Sequence, residues 1–240
     1  MGFEYVYFAL VFFLAGIGAE LTGFGVATIS MALLPFALPL SIAIPLVAVV
    51  SVIATGMIAL HTKARGLTKY LYPILIGSVI GIVLGMFFLQ FINEETLTII
   101  LGIFFITYAL YSLSFKRNFL PMGRITGTVT GLFAGFFGAS FSVHGPIIGL
   151  YSSSNGYLSK VERRGLIATY MFFSGLLIVL GHTLSGRMTT EVLLFTLLAI
   201  PFLLMGLLVG KQLFNKISVL WIKRCISIFI LAAGIAFLFL

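Results

Sequence analysis

The chain has 240 residues, of which 61% are hydrophobic and only 8% charged, and its mean hydropathy is +1.23. So apolar a composition cannot be hidden in a soluble core of this size, and it points to a polytopic membrane protein. The net charge of +8 rests on few side chains, so lysine and arginine retained in cytoplasmic loops account for it and nucleic acid is not implied as a partner. The single cysteine, Cys225, excludes an intrachain disulfide and a thiolate metal site, and it reads as an inert buried thiol.

The start, MGFEYVYFALVFF, carries Glu4 where a signal peptide would carry a basic region, and it is expected to be retained. The apolar run over residues 3–40 is too long for one crossing and is interrupted at 13–25, FLAGIGAELTGFG, by four glycines and Glu20. Its arms, 3–17 and 26–38, would each reach about 20 Å at 1.5 Å per residue. That is short of a hydrocarbon core of about 30 Å, and predicts a hairpin whose tip lies near the bilayer centre. Uncharged spans of bilayer length follow at 41–60, 70–92 and 96–115. A second broken run, 125–152, contains LFAGFFGASFSVHG at 132–145, with expected arms at 129–135 and 146–152 and Pro146 in the first turn of the returning arm. Further spans follow at 165–183, 191–210 and 217–240. No polar block is large enough to fold as an appended catalytic domain.

The second break lies half a chain after the first. A gap-free shift pairs Phe13 with Phe133, Gly18 with Gly138, Ala19 with Ala139, Thr22 with Ser142 and Gly25 with Gly145. Farther on, Leu40-Ser41 falls on Leu158-Ser159, His61-Thr62 on His182-Thr183, and Gly81-x-x-x-Gly85 on Gly206-x-x-x-Gly210. Matches that keep their order predict an internal duplication, with repeats over residues 1–120 and 121–240. Charge decides their orientation. If each broken run crosses once, the basic residues divide evenly between the two faces. If each returns to its own side, all but Arg187 fall on one face, and Arg187 joins Glu4, Glu94, Glu95 and Glu191 on the other. Because cytoplasmic loops concentrate lysine and arginine, the expected fold is all-α, with two inverted-topology repeats. Each is a glycine-broken helical hairpin followed by three transmembrane helices. The basic loops are then cytoplasmic and both termini extracytoplasmic.

Glycine and small polar residues at membrane depth are tolerated where the backbone faces protein or a wet cavity. Two broken helices meeting there present N-termini with free N–H groups and partial positive charge, which suits an anion. The expected site comprises Thr22, Gly23 and Gly25 from the first tip and Ser140, Ser142, His144 and Gly145 from the second. Glu20, costly inside a membrane segment and functional by default, is expected to carry a coupling proton, with His144 from the opposite hairpin. Blander roles exist for each: glycines for close helix packing, hydroxyls satisfying a neighbouring carbonyl, and His61 and His182 as boundary residues. Lys63-x-Arg65, Lys116-Arg117 and Lys160-x-x-Arg163-Arg164 read as topology determinants, though Arg163 and Arg164 could also gather anions before a helix beginning at Gly165. No metal-ligand spacing, nucleophile elbow, phosphate loop or acid pair appears, so no cofactor, metal or enzymatic activity is indicated.

These breaks carry a resemblance. The residues Gly18, Gly23, Gly25 and Pro35 in one half, and Gly135, Gly138, Gly145 and Pro146 in the other, make the whole chain resemble the TauE/SafE sulfite exporter family. In the first break, Glu20-Leu21-Thr22-Gly23-Phe24-Gly25 stands where that family often has consecutive glycines. The resemblance implies an inner-membrane permease for sulfite, organosulfonates or related small anions, driven by an ion gradient. The anion would be held between the hairpin tips near the midplane while the two halves rock, its partners being a coupling proton and the bilayer; a homo-oligomer is compatible with the pattern. A small-anion channel, needing no coupling group, and a membrane protein handling a lipid-linked phosphate, needing several converging charges, are the rival readings.

Overall fold

The computed structural model describes residues 2–62, 67–114, 122–154 and 158–240. Lys63, Arg65, Lys116 and Arg117, assigned above to one face, lie outside them, as do the side chains of Glu4 and Lys223. The described residues form α1 (Gly2–Thr22), α2 (Gly25–Leu33), a 3₁₀ turn (Leu34–Phe36), α3 (Leu40–His61), α4 (Thr68–Phe88), α5 (Glu94–Ser114), α6 (Arg124–Phe141), α7 (Gly145–Ser153), α8 (Lys160–Leu184), α9 (Thr190–Leu213) and α10 (Val219–Phe237). Among them α1, α3, α4, α5, α8 and α9 are long and apolar enough to cross a bilayer. The apolar part of α10 is shorter, Arg224–Phe237. Outward faces remain apolar: Val79, Ile80, Val83, Leu84 and Phe87 on α4, and Leu193, Leu194, Leu197 and Leu198 on α9, are exposed. Helices apolar on every side belong in lipid, and the chain is a multi-pass membrane protein.

Both hairpins differ from expectation in the length of their outgoing arms. α1 runs 21 residues, about 31 Å at 1.5 Å per residue, straight through Gly16 and Gly18. α6 runs 18 residues through Gly127, Gly131, Gly135 and Gly138. A glycine inside a helix costs about 1 kcal/mol, less than the unpaired backbone groups that a break would leave in hydrocarbon. The breaks come where the backbone turns left-handed. Gly23 has φ +88° and Ser142 φ +57°, the latter unusual for a residue with a Cβ. Each returning arm, α2 and α7, then has nine residues and opens on glycine, Gly25 and Gly145.

Consequently the tips pass one another instead of stopping at a common depth. The first lies at the end of the bundle where α9 stops and α8 starts: Glu20 faces Gly210, and Arg164 reaches it from α8. The second lies near the start of α3 and the end of α4: Ser142 Oγ donates to the Ile44 carbonyl at 2.7 Å, and Ser140 Oγ to that of Gly85 at 3.3 Å. Where the hairpins overlap, the Phe24 ring rests against Gly145 and Gly149.

Glycine also makes the long helix contacts. α6 lies on α4 so closely that a Cβ at Gly77 or Gly81 would overlap the carbonyls of Thr128 and Leu132, and one at Gly131 or Gly135 those of Ile74 and Ser78. α1 lies on α9 in the same way, Gly16 against the Leu203 carbonyl and Gly206 against that of Phe13. With no hydrophobic drive between helices in lipid, such close approach supplies the packing. Gly81→Leu and Gly206→Leu are each expected to cost about 2 kcal/mol or more, read as a lowered thermal midpoint in detergent. An unchanged midpoint would mean that these faces do not hold the bundle together.

Candidate functional site

The site begins with a helix start. Ser159 caps α8: its hydroxyl accepts from the Glu162 N–H at 3.2 Å, and its own N–H donates to Glu162 Oε2 at 2.8 Å. This reciprocal box starts the helix at Lys160, not at Gly165 as expected. Lys160, Arg163 and Arg164 therefore sit at i, i+3 and i+4 on one helical face rather than in a loop. The pattern Ser159-x-x-Glu162 was the signal in the sequence.

Two of these cations are committed to other helix ends. Lys160 Nζ donates to the carbonyls of Phe214 and, at 3.1 Å, Ile217, just past the end of α9, where a helix carries partial negative charge. Arg164 Nη1 donates to Glu20 Oε1 at 2.6 Å and to the Glu20 carbonyl at 3.1 Å, in the last turn of α1. The Phe214 ring lies 4.0 Å from each cationic centre. Both partners of the Glu20–Arg164 pair are 12% exposed, and Arg164 Nε is buried with no hydrogen-bond partner. Glu20 is thus neutralised by a cation from the other half of the chain.

Beside this pair opens a cavity of about 260 Å³. Its lining combines Lys160, Arg163, Arg164, Thr22, Tyr108, Ser152 and Ser153 with the apolar Leu21, Phe24, Leu150, Ile167, Ile222 and Ile226. On the other side of the pair a groove is lined by Glu20, His61, Lys211 and Asn215, and Arg164 lines both spaces. Cations and hydroxyls together with apolar side chains in one lining suit an anion with an apolar part.

Of the residues expected at the site, only Thr22 lines this cavity. Its hydroxyl donates to the Gly18 carbonyl at 2.7 Å and accepts from the Phe24 N–H at 3.2 Å. Gly23 brings the first tip onto α8, where a Cβ would stand 3.0 Å from the Arg164 carbonyl, and Gly25 lies directly on Gly18 and Ala19. The hydroxyl protons of Ser140 and Ser142 are spent on carbonyls, and Gly145 is covered by Phe24. His144 is buried elsewhere, edge-on to Tyr170 with ring centroids 5.9 Å apart. Its ring nitrogens make no hydrogen bond of good geometry, the backbone of Met171 being the polar group it faces. Tyr170 is tied in turn to Ser78, hydroxyl to hydroxyl at 2.7 Å. The second tip therefore belongs to an interior polar cluster, separate from the cationic cavity.

Other expectations divide. His61 is exposed, as a boundary residue should be. His182 is fully buried, and Arg187 beside it donates to the Leu89 carbonyl at 2.8 Å. Cys225 is exposed rather than buried, because α10 turns that position outward.

A family model described as "Sulfite exporter TauE/SafE" matches residues 8–237. No curated protein and no solved structure matches the chain.

The Glu20–Arg164 pair ties the two halves together, and a double-mutant cycle measures how strongly. Glu20→Gln and Arg164→Gln are each expected to lower the thermal midpoint, and the double variant less than the sum, with a coupling of about 1–3 kcal/mol. Strictly additive losses would mean that the pair contributes no net attraction.

Proposed function

The chain belongs to the TauE/SafE sulfite exporter family, and on that premise we propose that it is a secondary-active transporter of a small anion, sulfite or an organosulfonate. It works by alternating access and is coupled to protons. The observation that carries this reading is the cationic cavity lined by α1, α5, α7, α8 and α10, which places Lys160, Arg163 and Arg164 beside the tip of a broken helical hairpin. An anion there meets positive charge and hydroxyls within a bundle whose outer surface is made for lipid.

The two halves, 1–120 and 121–240, act as inverted repeats. Support comes from the two nine-residue returning arms, from tips at opposite ends of the bundle, and from the matching of α1 on α9 with α6 on α4. Charge is distributed accordingly. Lys160, Arg164 and Lys211 lie at one end, while Glu94, which accepts from the Ser41 N–H at 3.1 Å, and Arg187 lie at the other. The basic end is cytoplasmic and the membrane the inner membrane.

From the cavity the anion passes to the hairpin tips. Thr22 and the N–H groups at Gly23 and Gly25 meet it at the first tip, and when the halves rock Ser140 and Ser142 exchange their carbonyl partners for the anion at the second, with His144 and the N–H group at Gly145. Glu20 carries the coupling proton, and the buried imidazole of His144 relays it. Purified protein in liposomes is expected to take up sulfite or sulfoacetate saturably, in competition with other sulfonates, and to accumulate them under an imposed pH gradient. Glu20→Gln should abolish the gradient-driven accumulation while leaving binding. Flux that never saturates would identify a channel, and no flux of any of these anions would overturn the reading. Labels at positions 63 and 160 should react from the same side of the membrane; reaction from opposite sides would exclude inverted repeats.

A further inference from the structure

We propose that Arg164 is an anion ligand held in reserve by Glu20. The guanidinium takes the Glu20 carboxylate when the cavity is empty, and exchanges it for the bound anion once Glu20 takes up a proton. This rests on the anion-transport reading above and names the residue on which proton and anion meet.

The geometry points to an exchange because Arg164 faces both ways. It lines the cationic cavity on one side and the Glu20 groove on the other. A guanidinium offers five N–H donors in a planar fork. Glu20 engages Nη1 alone, and Nε is buried without a partner. The donor set is therefore incompletely used where it stands. A carboxylate and a sulfonate accept from a guanidinium in the same way and compete for the same hydrogens. Both cannot be held at full charge around one cation without like-charge repulsion.

Two contacts make the exchange local. The Phe214 ring stacks on the guanidinium at 4.0 Å and supports its plane while the partner changes. The Glu20 side chain is fixed at its base against Gly210, so the carboxyl group stays beside Arg164 after protonation. The charge balance is simple. With Glu20 ionised, the pair is neutral. A proton added to one Glu20 oxygen leaves Arg164 as an uncompensated cation facing the cavity, and one monoanion restores neutrality, so proton and anion load together.

Other charges around Glu20 set what a test must separate. α8 brings Arg164, with Lys160 one turn away. α9 brings Lys211, and α3 brings His61, which shares the groove. α2 carries no titratable side chain, and on α10 Arg224 and Cys225 are exposed. His61 is the imidazole that shares the groove with Glu20, so its variant is the control.

Binding of methanesulfonate and benzenesulfonate to the purified full chain, measured calorimetrically between about pH 4.5 and about pH 7.5, tests the exchange, because sulfonates remain ionised throughout while carboxyl groups and histidine titrate. The wild type is expected to bind about tenfold or more tighter at the acid end, a factor worth about 1.4 kcal/mol. Glu20→Gln should bind tightly and equally at both ends. Arg164→Gln should bind weakly at both; should it fail to fold, Glu20→Gln combined with Arg164→Gln, which leaves neither charge alone, should show the same weak, pH-independent binding. A Glu20→Gln variant that keeps the wild-type pH dependence, or pH dependence abolished by His61→Gln instead, would overturn the exchange while leaving anion transport standing. Failure of the wild type to bind either sulfonate at any pH would overturn both.

Discussion

A backbone N–H or C=O group left without a partner in hydrocarbon costs several kcal/mol, and that cost governs how this chain can be broken inside a membrane. The two interruptions are each closed locally. At the first, the Gly23 N–H bonds back to the Ala19 carbonyl at 2.6 Å, and the Phe24 N–H finds the Thr22 hydroxyl. At the second, the Ser142 N–H returns to Gly138 at 2.8 Å, the 5→1 bond of an αL helix end, and the Val143 N–H to Phe137. Ser142 holds its left-handed conformation with a side-chain bond to the Ile44 carbonyl, which replaces the freedom that glycine provides at Gly23. The hydroxyls that sequence reasoning reserved for a ligand are the ones that make the breaks tolerable.

The same accounting applies to charge. An isolated carboxylate at Glu20 would be expensive beside apolar helices, and the structure pairs it with a cation that is itself stacked on an aromatic ring. Lys160 is handled alike, against carbonyls just past the end of α9. Both cations come from the first two turns of α8, and both reach helix C-terminal ends, where their charge is favourable. One short stretch of α8 thus closes the ends of α1 and α9 while presenting Arg163 and Arg164 to the cavity. Closure of the helix ends and the charge of the cavity draw on the same side chains, so a change in one is felt by the other.

Much of this was legible in the sequence, and the limits are physical. The spans, the two glycine-broken runs and their small polar residues follow from hydropathy and spacing, because lipid imposes a strict length and polarity on what crosses it. The starts of the two returning arms, expected at residues 26 and 146 and found at Gly25 and Gly145, were also readable. The arm lengths were not, since glycine signals a break and a packing face by the same letter: Gly16, Gly131 and Gly135 serve packing, Gly23 the turn. The start of α8 was readable from Ser159 and Glu162 but is easily lost when charged residues are assigned to loops by habit. The partner of Glu20 was not readable at all, because Arg164 lies in the other half of the chain and only the fold brings them together.

The distribution of contacts also says which parts can move. The seams of α1 on α9 and α6 on α4 are built from backbone lying on backbone through glycine, and sliding them would drive side chains into carbonyl oxygens. Gly102 and Gly234 make a further seam of this kind between α5 and α10, whereas single side chains tie Arg164 to Glu20, Ser142 to Ile44 and Arg187 to Leu89. Rocking of the kind proposed would keep the seams and exchange the ties. α1 with α9 would then move as one body, and α4 with α6 as another, each joining a hairpin arm of one half to a long helix of the other. The Phe24 ring on Gly145 and Gly149 lies where the hairpins overlap, so a shift of either body displaces it and alters the wall of the cavity. On this arrangement the Phe24 ring gives the cationic cavity a packing link to the second hairpin.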